Sequence, residues 1–235
     1  EEMDDPRDIN EFAALCIDIN SNEHQPFFPT SARAVLADFG TRHWIVCPDE
    51  TEFWDLVNSC NAATRMRLVA ASHPITAPLL ALLQDNEVGM SIIATPAMES
   101  KKLSIPAALY RTNTTGRKVS SKVVEGWRSI TRLAFDLKSI ETLAPLTRLF
   151  ILRAQQRVLS TIERDRLVFM ILDELALLPG GVDLSTGAVF DRESGWCPVL
   201  ALQSLKSAEK AWGKAKLEAT LSTAKTFICF QLPDA

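Results

Sequence analysis

The sequence predicts an α/β fold in two parts. Residues 1–130 form a mostly helical region, and residues 131–235 form a partial parallel sheet covered by helices in three layers. Three observations carry this. Leu167–Leu172 is an unbroken apolar run of strand length, as expected of a strand buried on both faces in a parallel sheet. From about residue 132 onward, strand-like and helix-like segments alternate. Before about residue 130, prolines interrupt segments whose apolar residues recur at helical rather than alternating spacing.

In the first region, helices are expected over Glu11–Cys16, Thr30–Phe39, Thr51–Cys60 and Ala62–Ala71. Thr30 or Ser31 and Thr51 are the expected N-caps, since a hydroxyl there accepts from first-turn amides. His73-Pro74, Ala77-Pro78 and Thr95-Pro96 punctuate the next segments, because proline lacks a backbone donor and restricts its predecessor. Arg111–Gly116 reads as a loop. In the second region Leu133–Leu137 reads as a strand. Thr142–Thr161 reads as a helix with Leu143, Leu146, Leu149, Phe150, Ala154 and Val158 on one face. Leu167–Leu172 comes next as a strand, and strand–helix–strand makes a βαβ unit with a right-handed crossover. Pro198–Leu202 is a third strand, Ser204–Leu217 a helix weakened at Gly213, and Thr226–Phe230 a fourth strand.

The 235 residues are 47% hydrophobic and 23% charged, enough for one or two globular domains with a substantial core. No apolar run is long enough to span a bilayer, and no signal peptide opens the chain. Five cysteines lie far apart without a C-x-x-C pattern, which fits a reducing, cytoplasmic setting. The net charge of −4 conceals an asymmetry: residues 1–60 carry three basic residues against thirteen acids, and residues 100–132 carry eight against one. Within that basic stretch Lys101, Lys102, Arg117, Lys118 and Lys122 are candidate contacts for nucleic-acid phosphates, the alternative being a solvated face.

Asp173 and Glu174 come directly after the Leu167–Leu172 run, and open parallel sheets bind ligands beyond the carboxyl ends of their strands. This is where a Walker B element sits in a P-loop ATPase. An Asp there supports Mg²⁺ through its water shell, and a neighbouring Glu orients and deprotonates attacking water. The alternative is an acidic pair capping the helix that begins at Leu175. Gln203, at the carboxyl end of the next strand, can reach the same edge and sense a γ-phosphate, or it is only a turn-forming polar residue. Arg192, in the polar turn before that strand, is either a group that stabilises charge in a neighbouring subunit's site or an ordinary surface arginine. Lys206, Lys210 and Lys214 line one face of the helix after Gln203, most simply a solvated face, the alternative being a DNA contact. No phosphate cradle of the form G-x-x-x-x-G-K-[ST] occurs, and His24, His43 and His73 show no metal-ligand spacing.

Arg166–Leu178 resembles the Walker B segment of type IV secretion coupling proteins, the TraD/TraG-like conjugation ATPases. The likeness continues through Asp191-Arg192-Glu193-Ser194-Gly195, where the family has a basic G-R-K-x-G turn, and through Val199–Ser204, an apolar strand ending in Gln-Ser. Trp212-Gly213, Leu143–Leu146, and Pro26-Phe27-Phe28 with Ala32-Arg33 add looser matches. The turn here has lost the first Gly and the Lys of the family pattern. The resemblance implies a RecA-like P-loop core with an all-α subdomain. It implies ATP and Mg²⁺ as cofactors, with Asp173 at the metal, Glu174 and Gln203 catalytic, and Arg192 acting across subunits. It further implies a homo-hexamer that delivers single-stranded DNA or DNA–protein substrates to a secretion channel, with relaxosome proteins and channel components as partners. A cytoplasmic body anchored at the inner membrane by a segment outside these residues completes the expectation, the chain being a piece that starts after Walker A. The rival readings are a non-catalytic adaptor derived from this fold and another RecA-like DNA pump.

Overall fold

The computed structural model describes residues 6–17, 27–46, 87–92, 94–95, 98, 120–126, 130–133, 138–160, 166–182, 184 and 194–229. The chain divides into two compact units, Glu1–Val119 with Glu141–Leu149 and Ser120–Ile140 with Phe150–Ala235.

The first unit is helical where it is described. Helix α1 spans Pro6–Cys16 and α2 spans Phe27–Val46. Proline in the first turn forgoes no helical hydrogen bond, so Pro6 opens α1 and Pro29 fits the start of α2. That is why α2 begins ahead of Thr30 and Ser31, which lie inside the helix rather than at its cap as expected. Phe12, Ala13, Cys16 and Ile17 pack with Ala32, Leu36, Ala37 and Leu149 in one buried cluster. The carbonyls at the end of α1, which no helical amide can reach, are taken by arginines. Arg33 Nη2 donates to Ile17 O at 2.7 Å and to Ala14 O at 3.4 Å, and Arg148 Nη2 donates to Leu15 O at 2.6 Å. The helices expected over 51–60 and 62–71, the loop at 111–116 and Thr51 lie outside the described residues.

In the second unit, α3 (Ile140–Ser160) accommodates Pro145 internally and contributes Glu141–Leu149 to the first unit. Of its expected apolar face, Leu149, Ala154 and Val158 are buried, but so are Ile151, Arg153 and Gln155, so burial extends round the helix. Arg157, in its last turn, donates to Glu125 Oε1 and to Ser121 Oγ, both at 2.9 Å, on the short 3-10 helix Ser121–Glu125. Strands β1 (Val168–Leu172) and β2 (Trp196–Leu200) pair in parallel, with Val168 opposite Trp196 and Leu172 opposite Leu200. The parallel pairing matches the expectation. Burial on both faces does not: Leu167 is 62%, Phe169 63%, Ile171 71% and Val199 47% exposed, because among the described residues the sheet has two strands and a single covered face.

The helix expected over Ser204–Leu217 is two helices, α4 (Leu205–Trp212) and α5 (Lys214–Thr223). Gly213 separates them at φ 85°, ψ 151°, a region only glycine enters readily. Lys214 therefore opens a second helix and does not continue the face of Lys206 and Lys210. Thr226–Cys229 forms no strand, and Phe230 lies outside the described residues. Leu133 likewise lies outside any strand, with residues 134–137 undescribed.

Candidate functional site

The carboxyl edge of the parallel pair is built in register. Ala201 N donates to Leu172 O at 3.0 Å and Leu175 N donates to Ala201 O at 3.3 Å, carrying the ladder one step past each strand. Between these two bonds Asp173 and Glu174 must turn the chain, and they do so tightly. Asp173 Oδ1 accepts from Glu174 N at 3.0 Å, and Glu174 sits at φ 53°, ψ 35°. It is the one non-glycine residue with positive φ among the described residues, a conformation that costs an L-residue about 1–2 kcal/mol. A strained residue at the carboxyl end of a parallel strand pair is a reason to look for function there.

Glu174 precedes the 3-10 helix Leu175–Leu177 but its side chain makes no capping hydrogen bond to it. Its carboxylate turns instead to the neighbouring strand's end, where Gln203 Nε2 donates to Glu174 Oε1. The structure thus brings Asp173, Glu174 and Gln203 to one exposed edge. The Glu174 side chain makes no capping hydrogen bond, and the Gln203 amide reaches it from the end of the neighbouring strand. Among the described residues no group of three or more His, Cys, Asp or Glu side chains could hold a metal ion. Mg²⁺, however, keeps several waters and takes only one or two carboxylates when substrate phosphates complete its shell. The Asp173 edge fits that kind of site and not an all-protein cage.

A second layer of contacts holds this edge in place, and sequence periodicity did not foretell it. Ser204 Oγ accepts from Ser207 N at 3.4 Å and caps α4 directly after Gln203. At the other end of α4, buried Trp212 donates from Nε1 to Leu178 O at 3.3 Å. A Cβ at Gly181 would lie 2.6 Å from the Trp212 ring, so glycine is needed for that approach. Lys216 Nζ donates to Gly180 O at 2.5 Å. The adjacent Trp-Gly and Gly-Gly pairs were the only sequence traces of this seat. Arg192, Lys101, Lys102, Arg117 and Lys118 lie outside the described residues. Lys122 is exposed on the 3-10 helix Ser121–Glu125. No helix among the described residues is long and apolar enough to cross a membrane.

A family model for the DNA-binding domain of type IV secretion-system coupling proteins matches residues 115–235, just over half of the chain. No curated protein sequence matches it. Solved structures do. The bacterial conjugative coupling protein TrwBdeltaN70, in a sulphate complex, aligns with a TM-score of 0.67 at 16% identity, over 94% of this chain and 52% of that one. Plasmid coupling protein TrwB with the GTP analogue GDPNP gives 0.67 at 15% identity over the same shares, and TrwB with ADP and Mg²⁺ gives 0.65 at 16% over the same shares. The chain spans about half the length of these structures. At such identities the likeness establishes the fold, and it bears out the partial RecA-like α/β core expected from the sequence.

Proposed function

Because the chain belongs to the family of type IV secretion-system coupling protein DNA-binding domains, we propose that it carries the metal-and-water edge of an ATP site in a conjugative DNA motor. The observation that carries this reading is the meeting of Asp173, Glu174 and Gln203 at the carboxyl end of a parallel strand pair. Asp173 would hold Mg²⁺, while Glu174 orients and deprotonates the attacking water and Gln203 holds Glu174 and senses the γ-phosphate. Mg²⁺, when bound, neutralises charge on the phosphates. Arg192 serves a neighbouring subunit's site. TrwB structures with ADP and Mg²⁺ and with the ATP analogue ADPNP support ATP and Mg²⁺ as the cofactors.

The complete protein is then a homo-hexamer anchored at the inner membrane. It moves single-stranded DNA, or DNA with attached relaxosome proteins, into the secretion channel. Lys101, Lys102, Arg117, Lys118 and Lys122 are its candidate DNA contacts. The adaptor reading is favoured by one observation, the D-R-E-S-G turn that lacks the family's Lys and first Gly.

The test is turnover in the protein that includes a phosphate cradle. Glu174→Gln should abolish ATP hydrolysis and leave ATP binding largely intact, because only the water-activating group is removed. Hydrolysis at the wild-type rate in that variant would refute the assignment. These 235 residues alone contain no G-x-x-x-x-G-K-[ST] segment, so they should show no turnover.

A further inference from the structure

We infer that the exposed lysine flank of α4, Lys206 and Lys210, is a contact surface for DNA phosphates. The inference rests on the DNA reading above and moves the contact to an element that reading leaves unused.

Residues 203–229 hold five lysines against two glutamates in a chain whose net charge is −4. Ala208 and Trp212 bury one side of α4, which turns Lys206 and Lys210 toward solvent one helical turn apart. Neither makes an ion pair among the described residues. Exposed Glu209 is the one acid on α4 itself.

Two further observations favour DNA over a merely solvated face. The matching DNA-binding family model covers residues 115–235, which includes all of α4 together with Arg117, Lys118 and Lys122 and leaves out Lys101 and Lys102. The flank is also held at both ends, by the Ser204 cap at one and by the Trp212 bond to Leu178 O at the other. Lysines on a fixed helix hold their charges in register along a phosphate chain. Since α4 starts directly after Gln203, DNA seated on it touches the same body that holds Glu174.

The experiment is a fluorescence-anisotropy titration of the 235-residue protein against a labelled oligothymidylate at about 50 and about 200 mM salt. Each phosphate contact on a single strand adds about 0.7 to the salt slope, hence about fivefold in affinity near 0.1 M salt. Lys206→Gln with Lys210→Gln should therefore weaken binding about 25-fold and flatten the slope by about 1.4. Lys206→Arg with Lys210→Arg should restore both, since charge is what is read. Unchanged affinity and slope in the glutamine variant, with the wild type binding DNA, would overturn this surface and leave the motor reading standing. Equal loss in the arginine variant would also overturn it, because packing would then be at fault. No binding by the wild type at either salt would overturn both readings.

Discussion

Replacing Gly195 by alanine should destabilise the second unit far more than an ordinary surface substitution. Gly195 precedes β2 at φ +72°, and its carbonyl accepts from Val168 N at 2.9 Å at the start of the parallel pair. A Cβ there would lie 1.8 Å from Arg166 O and 3.0 Å from Arg166 C, and both atoms are backbone. No side-chain rotation relieves that contact, so one strand must retreat until ordinary contact near 3.4 Å is reached. The left-handed backbone costs alanine about 1–2 kcal/mol. Losing the Val168–Gly195 hydrogen bond costs about 1 kcal/mol, and the forced shift adds about 1–3 kcal/mol. The sum is about 3–6 kcal/mol. Gly213→Ala is the internal control. Its φ is +85°, yet nothing lies within 4 Å of its would-be Cβ, so only the conformational penalty of about 1–3 kcal/mol applies. Urea unfolding followed by tryptophan fluorescence measures both, Trp196 and Trp212 being buried in this unit. Equal midpoints for the two variants would refute the steric reasoning, as would a Gly195→Ala loss below about 1 kcal/mol.

Trp212→Ala should cost about 3–5 kcal/mol in the same assay, whereas Trp212→Phe, which loses chiefly the hydrogen bond to Leu178, should cost about 1–2 kcal/mol. Arg157 and Glu125, 17% and 52% exposed, should show a coupling of about 0.5–1 kcal/mol in a double-mutant cycle, and it should shrink at high salt because the carboxylate is half in water. Arg33→Lys should destabilise the first unit by about 1 kcal/mol, since a single ammonium cannot reproduce the guanidinium's reach to the Ile17 and Ala14 carbonyls. Full stability in Arg33→Lys, read by chemical denaturation, would show that any cation suffices there.

Much of the α/β half was legible because its signals are local. The apolar run before Asp173 needs only chain composition to read as a strand, and the strand-then-acid order puts both carboxylates at a sheet's ligand-binding end. The polar pair after Leu202 was enough to bring Gln203 to the same edge. By itself, then, the sequence determined the two parallel strands and the residue types at their carboxyl ends. It also determined the order of motifs by which the chain is placed among coupling proteins. Tertiary structure decided the rest, and in each case the deciding contact lies far away in sequence. Glu174 gives up a capping role because Gln203, 29 residues on, offers its amide. One lysine stripe became two helices because Gly213 takes a conformation that no helix contains, while Trp212 beside it packs against Gly181. Thr226–Cys229, apolar enough for a strand, pairs with no strand among the described residues, and a strand exists only where a partner supplies its hydrogen bonds. The pattern of side chains states what a segment can bury, and only the fold decides whether there is something to bury it against.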